Sequence, residues 1–252
     1  MAEVAPPGYE AYLARVRSGL DVTRERIGLA AARAGRDPSA IEIVAVSKFH
    51  PTEAVGAALA CGIRHFAESR VQEAEGKFTQ LRLENPELRL DLIGHLQRNK
   101  VKRAVALFDG IQSIDSLEIL DSIAAGLRLP GEEARAHRIE LLLELHTGEE
   151  SKSGFPDADA VRRACEGALA LRSVSAIELR GLMTMAPLGL GEAAIHSSFR
   201  TLKSLFDSLI VEFDMPSFTV LSMGMSGDFE IAVEEGATEL RIGTAIFGER
   251  NP

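Results

Sequence analysis

Apolar positions along the chain follow two spacings, and their alternation predicts helices and strands in turn. Apolar side chains repeat every three or four residues over 9–34, which indicates an amphipathic helix. The segment 41–47 (IEIVAVS) is β-branched and almost continuously apolar, which is typical of a parallel strand covered on both faces. A helix over 52–61 follows, so the first strand-helix unit is complete by that point.

The same unit recurs along the rest of the chain with short gaps. The further strands are predicted at 63–66, 90–94, 109–113, 138–145, 176–183, 218–222 and 238–243. The helices between them are predicted at 70–83, 97–107, 116–126, 157–171, 192–210 and 228–235. This pattern predicts an α/β protein with a (β/α)₈ TIM barrel and an extra N-terminal helix, and a doubly wound open sheet is the alternative. The turn at 126–137 lies inside the alternation, so we expect a single domain over 1–252.

Composition and charge narrow the class of protein. The chain has 252 residues, 46% of them apolar, which is enough to bury one core. Its formal net charge of −9 repels nucleic acid and anionic lipid, and no apolar run approaches the roughly 18 residues of a membrane span. The acidic N-terminus lacks the pattern of a secretion signal. We therefore expect a cytoplasmic protein with no nucleic-acid partner, no membrane partner and, because its cysteines and histidines have no ligand spacing, no metal site.

A lysine follows the first strand, where the function of a barrel of this kind lies. Lys48 comes directly after IEIVAVS and before FHP. At a dry barrel mouth, desolvation lowers the pKa of an amine and makes it a nucleophile toward aldehydes. A rim lysine that pairs with a carboxylate is the alternative.

The last two strands are followed by segments rich in glycine and hydroxyl groups, LSMGMSGD at 221–228 and RIGTAIFG at 241–248. Glycines let the backbone approach a ligand, while hydroxyls and helix starts offer donors to an anion. The residues concerned are Ser222, Ser226, Thr244, Gly224, Gly227 and Gly243. This pattern indicates a phosphate site, and simple helix capping is the alternative.

An amine for an aldehyde and a cradle for a phosphate together match pyridoxal 5′-phosphate. Arg241 lies two residues before Gly243 on the last strand, so it points to the same face as the phosphate loop and can reach the ring nitrogen of the cofactor. An arginine does not give up its proton, so it holds that nitrogen unprotonated and weakens the ring as an electron sink.

Motifs across the chain then resemble one family. They are VSKFHP, HFAESRVQE, LIGHLQRNK, GEESKSGF, RGLMTMAP, LSMGMSGDFEIAV and RIGTAIFGER. From about residue 8 to 250, the sequence resembles the pyridoxal-phosphate homeostasis protein family. The resemblance implies a barrel like the N-terminal domain of alanine racemase, and intracellular storage, delivery or buffering of the cofactor without substantial turnover. An amino-acid racemase is the alternative function, and a lysine-dependent aldolase ranks last.

The resemblance also implies the roles of individual residues. Lys48 carries the cofactor as a Schiff base and Arg241 meets the ring nitrogen. Ser222, Gly243 and Thr244 hold the phosphate. Met223, Gly224 and Ser69 complete the predicted cofactor-binding set, with no catalytic residue.

Several further expectations concern the surroundings of the site. Ser69 stands where the family has asparagine, so a hydroxyl replaces a side-chain amide. Lys152 is either a second, transient amine at the mouth or part of a loop salt bridge, and His95 follows the third strand. A racemase needs a second base, yet the only tyrosines are Tyr9 and Tyr12 in the leading helix. We expect a monomer whose protein partners are transient apo-enzymes that use pyridoxal phosphate.

Overall fold

Eight parallel strands close into a barrel in the computed structural model, each strand pairing with its neighbours in chain order. The strands are β1 (Glu42–Val46), β2 (His65–Glu68), β3 (Arg89–Leu92), β4 (Gly110–Ile114), β5 (Ile139–Glu144), β6 (Ile177–Met183), β7 (Val220–Ser222) and β8 (Glu239–Ile242). The structure describes residues 8–127, 138–147, 153–173, 175–187 and 189–249. The barrel predicted from the alternating pattern is confirmed.

Helices surround the barrel. They are α1 (Tyr9–Arg33), α2 (Thr52–Ala60), α3 (Val71–Glu84), α4 (Val101–Leu107), α5 (Leu117–Gly126), α6 (Ala158–Leu171), α7 (Glu192–Phe213), α8 (Phe229–Glu234) and α9 (Thr244–Phe247), with short 3₁₀ turns at Pro38–Ala40 and Arg98–Lys100. Within the residues that the structure describes, no helix has both the length and the apolar character needed to cross a bilayer.

The N-terminal helix occupies the position of the long helix that would otherwise follow the last strand. It packs against α2, α8 and α9. Close approach depends on Gly19, because a Cβ added there would lie 2.4 Å from the carbonyl oxygen of Ala245. Helix α1 therefore covers the barrel beside β1 and β8, where the described residues after β8 form only the four-residue helix α9.

Strand β2 begins two residues later than the sequence pattern predicts. Gly62 has a φ of 89°, and the N–H of Ile63 donates to the carbonyl oxygen of Ala58 at 3.0 Å. These features form a Schellman ending for α2, so its cap uses Ile63, which was predicted to begin the strand. The shift places Glu68 at the end of β2, where it is fully buried.

Polar side chains fill much of the barrel interior, contrary to the expectation of apolar strands. Gln112 on β4 and Glu239 on β8 belong to strands on opposite sides of the barrel, yet Nε2 of Gln112 donates to Oε1 of Glu239 at 2.7 Å. Both side chains must therefore point inward. The same Nε2 donates to Oδ2 of Asp91 at 2.8 Å. The buried apolar cluster inside the barrel is small, with Val44, Val46 and Ala67 as its members.

Candidate functional site

The carboxyl ends of the strands enclose a cavity of about 240 Å³. Its polar lining comes from β8 and from the segments that follow β1, β7 and β8. Its apolar lining comes mainly from β6 and from the segments that follow β3 and β6. The polar residues are Lys48, Ser226, Arg241 and Thr244, and the apolar ones include Ile93, Met183 and Met185. A larger groove of about 820 Å³ between α6 and α7 contains none of the predicted site residues.

Lys48 lies in a tight turn that begins as soon as β1 ends. The carbonyl oxygen of the buried Ser47 accepts a hydrogen bond from the N–H of His50 at 3.0 Å. Phe49 has a φ of 66°, in the left-handed region that non-glycine residues seldom adopt. The turn leaves Lys48 half-buried and facing the cavity. The structure thus places an amine at the barrel mouth.

Arg241 places a fixed positive charge on the floor of this cavity. Its guanidinium donates through Nη1 to Oγ of Ser222 at 2.6 Å and through Nη2 to the carbonyl oxygen of Thr184 at 2.7 Å. Burial lowers the pKa of Arg241, while carboxylates that include Glu239 and Glu144 act in the opposite direction. Because a guanidinium starts from a pKa above 12, the side chain keeps its charge.

Ser226 joins the two loops that follow β7 and β8. Its Oγ accepts hydrogen bonds from the N–H groups of Gly243 at 3.3 Å and Ala245 at 3.2 Å. The loop after β7 turns at Gly224, whose φ is 94° and where an added Cβ would lie 2.5 Å from Cβ of Ala232. Ser226 and Thr244 both line the cavity, so each of these two loops brings a hydroxyl-bearing residue to it.

The structure brings part of the predicted set together and leaves the rest elsewhere. Lys48, Arg241, Gly243 and Thr244 line the cavity. Ser222 lies beneath it, fully buried, where its Oγ donates to Oε1 of Gln112 at 2.8 Å. The neighbouring Met223 and Gly224 are also buried and do not line the cavity.

Other residues predicted near the mouth have different surroundings. Ser69 belongs to a separate cavity of about 450 Å³, which it shares with Arg70 and His95. His95 is mostly exposed, and its Nδ1 lies 2.7 Å from Oδ2 of Asp115. Lys152 lies outside the described residues.

Sequence reasoning missed the residues that support Arg241. Thr184 contacts Arg241 directly, and Gln112 contacts it through Ser222. Thr184 lies within the motif RGLMTMAP but had no predicted role, and Gln112 belongs to none of the quoted motifs. Their only local signal is a polar residue at the middle or end of an apolar strand. Such a signal is equally typical of a solvent-facing position, because it does not show which face of the strand is enclosed.

Comparison with known sequences identifies the family. The family described as alanine racemase, N-terminal domain, matches residues 20–251. The chain belongs to this alanine racemase N-terminal domain family. Its relatives include the pyridoxal phosphate homeostasis protein of Pseudomonas aeruginosa, 38% identical over 231 residues, which cover 90% of this chain and 92% of that protein. The human pyridoxal phosphate homeostasis protein is 34% identical over 250 residues, covering 94% and 87% of the two chains. The resemblance seen in the motifs is confirmed.

Solved structures with a similar fold agree with the barrel. PipY of Synechococcus elongatus, in a structure with pyridoxal phosphate bound, is 36% identical with a TM-score of 0.73, and the match covers 89% of this chain and 99% of PipY. An alanine racemase of Clostridium difficile matches with a TM-score of 0.70 at 15% identity, covering 95% of this chain and 60% of the racemase. The second likeness concerns the fold alone.

Proposed function

We propose that this chain binds pyridoxal 5′-phosphate through a Schiff base on Lys48 and serves in cofactor homeostasis. In this role it stores the cofactor, or delivers it to apo-enzymes, as a cytoplasmic monomer without substantial catalytic turnover. One observation carries the proposal: an amine, a buried guanidinium and a hydroxyl-bearing pair of loops meet in a single cavity. PipY, a relative with pyridoxal phosphate bound, and relatives named for homeostasis of that cofactor support it.

The residues present fit the chemical groups of this cofactor. The hydroxyls of Ser226 and Thr244, with Gly243 between their loops, suit a phosphate. The N–H groups of Gly243 and Ala245 donate to Oγ of Ser226 and hold the two loops together. Ser226 takes the place proposed from sequence for Ser222, whose hydroxyl is already engaged below the cavity. The apolar side chains of Ile93 and Met183 suit the faces of an aromatic ring.

Two side chains then determine what the bound cofactor does. When bound, the cofactor supplies an aldehyde, with which the amine of Lys48 condenses and releases water. Arg241 holds the ring nitrogen without giving up a proton, which weakens the ring as an electron sink. The site therefore retains the cofactor reversibly and gives little help to the removal of a proton from an amino acid.

Covalent capture at Lys48 is the direct test. Purified protein mixed with pyridoxal phosphate and reduced with borohydride is expected to carry the pyridoxyl group on Lys48, as located by peptide mass mapping. The Lys48→Ala variant should show no stable adduct, whereas Lys102→Ala, which removes an exposed lysine of α4, should match the wild type. An adduct spread over surface lysines, or none at all, would refute the proposal.

A second test separates homeostasis from racemase activity. Within the described residues, the titratable side chains that line the cavity are Lys48 and Arg241. The tyrosines, Tyr9 and Tyr12, lie on α1 outside the barrel. Because two-base exchange needs a base on the opposite face of the substrate, alanine incubated with the loaded protein in deuterated water should exchange its α-proton slowly or not at all. Rapid exchange, followed by proton NMR, would favour the racemase.

A further inference from the structure

A buried ion cluster lies under the turn that carries Lys48. Nζ of Lys77, on α3, donates to Oε1 of Glu68 at 2.8 Å and to Oε1 of Glu73 at 2.9 Å. Lys77 is 9% exposed and Glu68 is fully buried. A buried ammonium is stable only when its N–H groups have hydrogen-bond acceptors, so these two carboxylates help to keep Lys77 buried.

The cluster forms hydrogen bonds with both peptide units that flank Lys48. The carbonyl oxygen of Ser47, in the peptide before Lys48, accepts the third hydrogen bond of Lys77 at 2.8 Å. The N–H of Phe49, in the peptide after Lys48, donates to Oε1 of Glu73 at 2.6 Å. The two peptide planes on either side of the Lys48 Cα are thus held from a single helix, and together they set the direction of its Cα–Cβ bond.

All three N–H donors of Lys77 are satisfied, whereas Oε2 of Glu68 has no hydrogen-bond partner among the described residues. An ammonium has three N–H donors, and those of Lys77 meet the carbonyl of Ser47 and the carboxylates of Glu68 and Glu73. Glu73 and Lys77 are four residues apart, so they lie on one face of α3. The hydroxyl of Ser47 also donates to Oε1 of Glu68 at 2.7 Å.

The backbone of the turn needs such support. Phe49 is a non-glycine residue in the left-handed region, with a φ of 66°. Conformations of this kind persist only when the surrounding structure imposes them, and they concentrate at functional sites. The hydrogen bond from the Phe49 N–H to Glu73 is one contact that stabilises this conformation.

We propose that Lys77 and Glu73 are positioning residues that aim the amine of Lys48 into the cavity. This inference rests on the proposed function, because the positioned amine is the one that captures the aldehyde. It predicts that loss of either residue slows covalent capture while binding of the phosphate and ring is retained. A merely structural role would weaken both together.

Two ligands separate these effects. Pyridoxal phosphate reports capture by its absorption change and by borohydride trapping, and pyridoxine phosphate, which has no aldehyde, reports binding alone. For Lys77→Met, which keeps a chain of similar length, we expect capture to slow about tenfold or more, the factor that corresponds to loss of one charge-assisted hydrogen bond. Affinity for pyridoxine phosphate should change less than about twofold, which is well under the effect of one such bond.

A second series covers the case in which Lys77→Met does not fold. Glu73 is partly exposed, so Glu73→Ala removes one acceptor with a smaller effect on folding. It should also slow capture, and Glu73→Gln, whose amide oxygen still accepts from the Phe49 N–H, should restore much of the rate. The matched control is Glu75→Gln, which breaks an ion pair between α3 and Arg103 away from Lys48 and should leave capture unchanged.

The outcomes distinguish this inference from the proposed function. Slowed capture with retained pyridoxine phosphate binding supports the inference. Wild-type capture rates in the folded Lys77 or Glu73 variants, or equal losses for both ligands, overturn the inference alone. A wild-type protein that forms no adduct at Lys48 overturns the proposed function and the inference with it.

Discussion

Replacing Asp91 by alanine is expected to lower the free energy of unfolding by about 3–5 kcal/mol, the usual effect of removing one partner from a buried ion pair. Asp91 is 1% exposed inside the barrel. Its carboxylate lies 3.1 Å from Nε2 of His65 and 3.3 Å from Nε of Arg89, and it accepts a hydrogen bond from Gln112. Without it, the buried His65 retains Glu42 at 2.8 Å and the partly exposed Arg89 retains Glu140 at 2.7 Å, but both cations lose the carboxylate that they share inside the barrel.

Urea denaturation followed by circular dichroism measures this effect. The matched control is Asp207→Ala, because Asp207 forms an ion pair with Lys203 on the exposed face of α7. Exposed pairs contribute little, so this change should cost less than about 1 kcal/mol. Equal losses in the two variants would show that the charges inside the barrel are not coupled as the distances indicate.

The strand order of this fold could be predicted from the sequence, but the content of the barrel could not. Strands such as 41–47 stand out because a parallel strand packed under helices is apolar over most of its length. Asp91 and Gln112 interrupt such strands and resemble residues that face solvent. Glu239, the partner of Gln112, is 127 positions away in sequence, and nothing local indicates that the two meet across a closed barrel.

The candidate site, like the fold, could be predicted from the sequence only in part. The glycine-rich segment 221–228 was placed correctly after a strand, because glycine and serine clusters end strands for local reasons. Which of its hydroxyls faces the cavity depends on where β7 ends and how Gly224 turns the chain. Ser222 is the last residue of β7 and points into the barrel, so Ser226 is the residue that lines the cavity. The cluster around Lys77 was missed because it depends on contacts between α3 and the turn after β1.

A second large effect should appear in the pH dependence of stability. Burial alone would lower the pKa of His65, but contacts with Asp91 and Glu42 outweigh burial and raise the pKa to about 10 from an unfolded value of 6.5. The pKa of Asp91 lies below its usual range, chiefly because His65 opposes the effect of burial. The folded protein therefore holds a proton on His65 over a pH range in which the unfolded chain has released it.

The sign of the effect follows from linkage between proton binding and folding. A raised pKa stabilises the folded state fully below pH 6.5, and this contribution is lost as the pH rises through about 10. Between these values, the difference in unfolding free energy between wild type and His65→Gln should shrink by about 1.4 kcal/mol per pH unit, the value for one proton.

Urea denaturation at pH 6, 7, 8 and 9 measures that difference directly, because steps of about one pH unit are small enough to show a slope of this size. His95→Gln is the control, because His95 also faces an aspartate but is mostly exposed, and the loss of an exposed pair should cost less than about 1 kcal/mol. A profile for His65→Gln that runs parallel to that of the wild type would mean that His65 is neutral in the folded barrel. The charge balance around Asp91 would then rest on the partly exposed Arg89, and the effect of Asp91→Ala should fall below the about 3–5 kcal/mol expected for a buried pair.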